Sequence, residues 1–171
     1  MAHFIFNEYV GKLANGSDDL VPVKSTSNVG VVLVDDDQLD ATSTWAAVKT
    51  HVANDTISGS NVLACVPTSV VVTTVAPESG SASITEVRSD HVEFGEDPSR
   101  TTITARGCVV FVSESPISTS VVPENAVPVC FLDFGDTVSS NSAPFAITFN
   151  GGDRTATPET KGVVFRYKQS V

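Results

Sequence analysis

The stretch 90-DHVEFGEDPSRTTITARGCVVFVSE-114 decides the fold, because it contains two strand-like runs separated by a turn rich in Gly, Asp and Pro. Side chains alternate between the two faces of a strand. One face of the second run is therefore predicted to carry Ile103, Ala105, Gly107, Val109 and Phe111. The other face is predicted to carry Thr104, Arg106, Cys108 and Val110. Arg106 and Cys108 are thus expected to be neighbours on one face.

This pair raises the question of whether Cys108 is a catalytic nucleophile, because a nearby cation lowers the pKa of a thiol. A cysteine nucleophile also needs a base, which would have to be His3, His51 or His91. None of these histidines lies in a recognisable catalytic motif. The sequence therefore favours a chain that is not an enzyme, in which Cys108 is a small buried core residue.

Arg106 and Gly107, which precede Cys108 in the triplet Arg106–Gly107–Cys108, are also expected to have structural roles. Gly107 is expected to let another backbone or an aromatic ring approach closely, because it has no Cβ. Arg106 is expected to pair across the sheet with a carboxylate such as Asp133 or Glu93.

The rest of the chain predicts a mainly β protein. Strand-sized runs separated by Pro, Gly, Ser and Asp occupy residues 61–66, 69–75, 81–87, 91–94, 101–112, 127–134, 145–149 and 162–167. The apolar run at 29–34 is typical of a strand covered on both faces. In the run at 145–149, Phe145, Ile147 and Phe149 are predicted to share one buried face. The spacing predicts an antiparallel, jelly-roll-like β-sandwich formed by a single domain over residues 1–171.

Two short helices are expected near the N-terminus. Residues 3–15 have helical spacing and stop before Gly16, and residues 43–53 place Trp45 and Val52 along one helical side. The Pro- and Ser-rich tract at 113–128 is expected to be a loop with a brief edge strand. Residues 150–154 are typical of a hairpin turn.

Composition limits the classes of partner. A net charge of −10 opposes binding to nucleic acid and to an anionic membrane surface. Cys65, Cys108 and Cys130 lie far apart without CxxC spacing, which is typical of buried cysteines in a reducing compartment. The first residues lack a secretory signal pattern, and no apolar run is long enough to span a bilayer. The protein is therefore expected to be made in a cytoplasm.

No metal or cofactor is expected. The acidic string at 35–40 suggests calcium, but an EF-hand that begins at Asp35 would need Gly and Glu where the chain has Asp40 and Ala46. A solvated acidic loop is the better interpretation. The three histidines lack the spacing of a zinc site, and nucleotide-binding and hydrolase signatures are missing from the sequence.

Four stretches together resemble a family of small structural or decoration proteins of tailed-bacteriophage virions. They are FNEYVGKLANGSDDL, VGVVLV, the stretch at 90–114, and VCFLDFGDTVSSNSAPFAITFN, and they span most of the chain in the family's order. The single motifs indicate packing and turns, so their order carries the resemblance. The chain departs from the family in a shortened segment at 57–61 and in an added segment at 151–161.

The resemblance implies a non-catalytic protein on the exterior of a phage head. Its expected partner is the major capsid protein, whose subunit contacts it would reinforce, and it is expected to self-associate as a trimer or dimer. An acidic surface suits this location, because it avoids packaged DNA and stays soluble. Synthesis in the bacterial host cytoplasm follows from the same assignment.

Aromatic residues near the two termini are the candidate partner-binding residues. They are Phe4, Phe6, Tyr9, Phe165 and Tyr167. The first three would anchor in a pocket, and the last two lie in a segment that would add to a neighbour as a strand. The alternative is that both segments simply close the fold.

Two other functions remain open. A tail or neck component of the virion would share every feature above and would differ only in copy number per particle. A carbohydrate-binding module would need more exposed aromatics than one Trp and two Tyr provide, and calorimetry with glycans would detect it.

Overall fold

The computed structural model of the protein describes residues 3–15, 29–35, 38–53, 70–75, 83–89, 91–94, 102–113, 115–117, 121–149 and 162–169. Within these residues the protein is mainly β, with antiparallel sheets and two short helices. The elements in chain order are β1 (Phe4–Ile5), α1 (Asn7–Ala14), β2 (Val29–Val34), α2 (Trp45–Thr50), β3 (Val70–Val75), β4 (Ser83–Ser89), β5 (Val92–Phe94), β6 (Thr104–Val112), β7 (Val127–Ser139), β8 (Phe145–Ile147) and β9 (Gly162–Gln169).

A four-stranded sheet with the order β1-β7-β6-β2 contains the longest pairings. Strand β2 pairs with β6 along its whole length, from Val29 opposite Val112 to Val34 opposite Gly107. All six residues of β2 are buried, which confirms the prediction of a strand covered on both faces. Beyond β2, the segment after α2 continues the sheet through a bridge between Val34 and Val52.

One face of this sheet packs against α1 and the β5–β8 pair. Tyr9 of α1 and the inward residues of β5 and β8 join apolar residues of β2, β6 and β7 in one buried cluster. The predicted alternation at 145–149 is confirmed, because Phe145, Ile147 and Phe149 are buried while Ala146 and Thr148 are exposed.

The opposite face is covered by α2 and by the connection between β6 and β7. Trp45, Val48 and Val52 pack there against Phe111 and Phe131. Trp45 also donates a hydrogen bond from Nε1 to the carbonyl of Pro123 in that connection, at 2.9 Å. Burial on both sides explains why the strands of this sheet are almost wholly apolar.

Two predicted segments need correction. Phe4 and Ile5 are not helical but form an edge strand opposite Phe131 and Cys130, and the helix begins only at Asn7. Similarly, α2 ends at Thr50, because the backbone of the following residues hydrogen-bonds to β2. Both segments are not helical because a neighbouring strand of the sheet offers hydrogen-bond partners to their backbone.

A separate three-stranded sheet has the order β3-β4-β9, with antiparallel pairing throughout. These strands lie at the predicted runs 69–75, 81–87 and 162–167. The predicted strand at 61–66 and the predicted turn at 150–154 lie outside the described residues. The described parts of the tract 113–128 before β7 contain no strand, and residues 114 and 118–120 lie outside the described residues, so the expected edge strand stays a prediction. No helix in the described ranges is both long and apolar enough to cross a membrane.

Candidate functional site

The Arg106–Cys108 triplet lies in β6 at an irregular point of the β6–β7 pairing. Ala105 pairs with Val138, whereas Gly107 pairs with Asp133, so one residue of β6 faces four residues of β7. This bulge overturns the predicted alternation. Ile103 and Ala105 belong to the same buried cluster as Cys108 and Val110, and the register of the β6–β7 pairing shifts between Ala105 and Gly107.

Arg106 lies opposite this bulge and is held by two carboxylates. Its Nε is 3.6 Å from Oδ1 of Asp133, and its Nη1 is 3.8 Å from Oδ1 of Asp136. The Asp133 side chain is 7% exposed and that of Asp136 is 98% exposed. The expected pairing of Arg106 with Asp133 is therefore confirmed, and Asp133 supplies the buried part of the ion pair.

Asp133 also shapes the bulge itself. Its Oδ1 accepts a hydrogen bond of 2.7 Å from the Gly135 N–H, and its own N–H donates to Nδ1 of His3 at 3.2 Å. Gly135 has a φ of 84°, a conformation that favours glycine. The His3 side chain therefore accepts a hydrogen bond from the backbone of β7. His3 lies directly before the edge strand β1.

Cys108 is 0% exposed and Cys130 is 3% exposed in the core on this side of the sheet. Burial raises the pKa of the Cys108 thiol well above its usual value, and the neighbouring Cys130 raises it further. Burial likewise raises the pKa of Cys130 to about 12. An activated thiolate requires the opposite shift. The expectation that both cysteines are buried is confirmed, while Cys65 lies outside the described residues.

Gly107 makes room for an aromatic ring, as expected. A Cβ at this position would lie 2.6 Å from Cε2 of Phe131 and 2.7 Å from the carbonyl oxygen of Leu132. Gly30 likewise makes room for Phe111, whose ring would overlap a Cβ at that position. Each of these glycines in the sheet therefore accommodates a phenylalanine ring.

Phe4, Phe6 and Tyr9 do not form an exposed anchor. Phe6 is 0% exposed and Tyr9 is 1% exposed, whereas Phe4 is half-buried with its ring centroid 5.2 Å from that of Phe131. Phe6 and Tyr9 instead close the core, which is the alternative that the sequence left open. Phe6 lies directly before α1 and Tyr9 lies within it, and both rings join the buried clusters of the sheet.

Phe165 and Tyr167 lie in β9, which pairs with β4 of the same chain. Their side chains lie outside what the structure describes, so their role in partner binding stays a prediction. The backbone pairing places this segment within a sheet of the chain itself.

The described residues bring no three His, Cys, Asp or Glu side chains together as a metal centre would require. Asp40, from the acidic string, is bound within its own loop. Its Oδ1 accepts hydrogen bonds from the backbone N–H and the hydroxyl of Thr42, at 2.7 and 2.6 Å. These hydrogen bonds lower the pKa of Asp40. Asp36 and Asp37 lie outside the described residues.

Sequence reasoning missed the contact between α2 and the β6–β7 connection. Lys49 donates to Oε1 of Glu124 at 2.8 Å, beside the hydrogen bond from Trp45 to Pro123. The available signal was the single Trp, since a buried indole N–H needs a hydrogen-bond acceptor. Nothing in the sequence identified the acceptor as a carbonyl 78 residues away.

Comparison with known proteins gives no relative from which to transfer a function, since no family model, curated protein or solved structure matches the chain.

Proposed function

We propose that the protein is a non-enzymatic structural protein of a tailed-bacteriophage virion. It binds in many copies to the outer surface of the head and reinforces contacts between major capsid subunits. We further propose that residues 1–171 form one antiparallel, jelly-roll-like β-sandwich, which is made in the host cytoplasm and then bound to the assembled capsid. The order of the four stretches that resemble the decoration family is the basis of the proposal.

One structural observation supports the non-enzymatic part. In the stretch at 90–114, one of the four that carry the resemblance, Arg106 pairs with Asp133, Gly107 accommodates the Phe131 ring, and Cys108 is 0% exposed. Each residue of the triplet therefore has a packing function, and the thiol is inaccessible to a substrate.

Charge supports the exterior location. A net charge of −10 on 171 residues repels packaged DNA and disfavours binding between the protein and nucleic acid. A protein on the outer surface avoids this repulsion. Many copies on a symmetric lattice then achieve stable attachment through individually modest interfaces.

Among the described residues, three large apolar side chains on the surface provide starting points for locating the capsid contact. Val10 on α1 is 50% exposed, Val121 in the β6–β7 connection is 63% exposed, and Val138 on β7 is 43% exposed. A single Val→Asp substitution at each position should leave the core intact. Loss of capsid binding in one of the three variants would identify the surface that contacts the capsid.

The test uses heads of the phage that encodes the chain, assembled without it and emptied of DNA. The purified protein is added, bound and free fractions are separated by sedimentation, and the heads are imaged by cryo-electron microscopy. The proposal expects saturable binding of hundreds of copies on the exterior. An unrelated acidic protein of similar size serves as the control for non-specific adhesion. Absence of binding, or only a handful of copies at one vertex, would contradict the proposal, and the second result would indicate a neck or tail component.

A further inference from the structure

The bulge of β7 leads into a run of exposed residues, which we call the β7 tip (residues 135–139). All five residues of the tip are exposed, although they belong to a strand whose first five residues are buried. Within the tip, the Asp136 side chain is 98% exposed and Val138 is 43% exposed. The protein therefore presents a carboxylate and a large apolar side chain to solvent only two positions apart.

Contacts at both ends hold the β7 tip in place. At its start, the N–H of Gly135 donates a hydrogen bond to Oδ1 of Asp133 at 2.7 Å. At its end, Ser139 lies opposite Thr104 of β6, and the hydroxyl oxygens of these two residues are 2.8 Å apart. A segment that is already ordered loses little conformational entropy when a partner binds it. The β7 tip is therefore suited to recognition of a partner.

The residues beneath the tip are not those that would stabilise the fold best. Asp133 is a carboxylate with a 7% exposed side chain, and Nε of Arg106 lies 3.6 Å from it. Among the described residues, this buried Nε has no hydrogen-bond partner. A buried donor without an acceptor destabilises a fold. Irregularities that cost stability are typical of functional sites, and β-bulges commonly lie beside them.

We propose that the β7 tip is the surface through which the protein contacts the major capsid subunit, an inference that rests on the proposed function. The matching capsid surface has a basic side chain that pairs with Asp136, next to an apolar depression that covers Val138. The net charge of −10 also favours a basic partner. A second copy of the chain fits less well, because a two-fold axis at the tip would bring two Asp136 carboxylates together.

Val10 and Val121, the other large exposed apolar residues of the described chain, lie in different surroundings. Val10 lies in the regular helix α1, and Val121 lies in the β6–β7 connection. Within the described residues, neither valine lies in a strand with a shifted register. Val138 is therefore the residue of the three whose substitution should abolish capsid binding.

The head-binding assay tests this inference with charge substitutions. Asp136→Lys reverses the charge of the tip, so the dissociation constant for heads is expected to rise at least about tenfold. The matched control Glu124→Lys makes the same change at a side chain that is 88% exposed, and it is expected to bind like the unmodified chain. Val138→Asp is expected to lose binding, whereas Val10→Asp and Val121→Asp keep it. Circular dichroism checks that each variant is folded.

The assay separates failure of this inference from failure of the proposed function. If the unmodified chain binds heads and folded Asp136→Lys binds equally well, the inference is wrong while the proposed function stands. If the unmodified chain does not bind heads, both are wrong. Sedimentation equilibrium provides a further measurement. A lower oligomeric mass of folded Asp136→Lys would assign the β7 tip to self-association and would overturn the inference.

Salt dependence tests the charge of Asp136 separately from the shape of the tip. Added sodium chloride screens exposed charges and should weaken head binding of the unmodified chain. Binding of Asp136→Asn is expected to fall less steeply with salt, because this variant lacks the carboxylate. Equal salt dependence of the two proteins would contradict the pairing of Asp136 with a basic side chain of the capsid.

Discussion

The substitution Gly107→Ala tests whether the triplet in β6 is a packing element. The added Cβ would lie 2.6 Å from Cε2 of Phe131 and 2.7 Å from the carbonyl oxygen of Leu132. Attractive contacts between carbon atoms occur near 3.5–4.0 Å, so the overlap with the ring is about 1 Å. The Phe131 ring has little room to move, because it is 1% exposed and also contacts Phe4.

The expected net loss of stability is about 1.5 kcal/mol. Overpacking of a core costs about 1–3 kcal/mol, and the cost here lies in the upper half of that range because an oxygen of the β7 backbone cannot rotate away as a side chain can. The lower chain entropy of unfolded Ala offsets about 0.4–1 kcal/mol of this cost. For a chain of this size, a net loss of about 1.5 kcal/mol lowers Tm by about 3–6 °C.

Urea-induced unfolding followed by tryptophan fluorescence and circular dichroism measures this change. Gly11→Ala is the matched control, because a Cβ at Gly11 meets nothing within 4 Å and the residue lies inside α1. It is expected to stabilise the protein by about 0.5–1 kcal/mol. If Gly107→Ala changes the free energy of unfolding by less than about 0.5 kcal/mol while Gly11→Ala stabilises as expected, the packing interpretation of the triplet is wrong.

Four further outcomes are expected. Arg106→Met should lower the free energy of unfolding by about 2 kcal/mol in urea titrations, because it leaves the buried Asp133 carboxylate without its cation; the loss is smaller than the 3–5 kcal/mol of a fully buried pair since Arg106 is 22% exposed. Cys108 and Cys130 should resist iodoacetamide at pH 8 until the protein unfolds. Stability should hold below pH 9 and fall between pH 9 and about 12, because an unfolded thiol ionises near 9.0 whereas burial holds Cys130 neutral up to about 12. Trp45→Phe should cost about 1–3 kcal/mol, because a carbonyl of the β6–β7 connection loses its hydrogen bond.

The Arg106 and Trp45 substitutions each have a control in the same chain. Asp136→Asn should change stability by less than about 1 kcal/mol, since this carboxylate is 98% exposed. For the thiols, rapid alkylation of the folded protein at pH 8 would contradict their burial. Lys49→Met removes the neighbouring ion pair to the exposed Glu124 and should also cost less than about 1 kcal/mol. If Trp45→Phe lowers the free energy of unfolding no more than Lys49→Met does, the hydrogen bond of Trp45 is not the cause of the destabilisation.

The strands were predictable where the sequence has either a period-two pattern with one buried face or a continuous apolar run. The run at 29–34 and the alternation at 145–149 are examples, because burial alone fixes their conformation. The pairing of Arg106 with Asp133 was predictable for a related reason, since a half-buried cation in a sheet needs a carboxylate on a neighbouring strand.

The bulge in β7 was not predictable, because it depends on which residues of two distant strands meet. Gly135 and the acidic residues beside it read as an ordinary turn in the sequence. Only the pairing of the two strands shows that four residues of β7 lie opposite one residue of β6 and that the register shifts after Ala105. The predicted N-terminal helix starts too early for a similar reason. The edge of β7 offers hydrogen-bond partners to the backbone of Phe4 and Ile5, so these residues form a strand instead of a helix.

The position of β1 has a consequence for synthesis on the ribosome. Phe4 pairs with Phe131, so the first strand finds its place only after about 125 further residues have been translated. At about 5–20 residues per second this interval lasts roughly 6–25 s. Throughout that time the apolar side chains of the leading segment have no β7 to cover them. Chaperones that recognise short aromatic segments on nascent chains would therefore encounter β1 before β7 covers it.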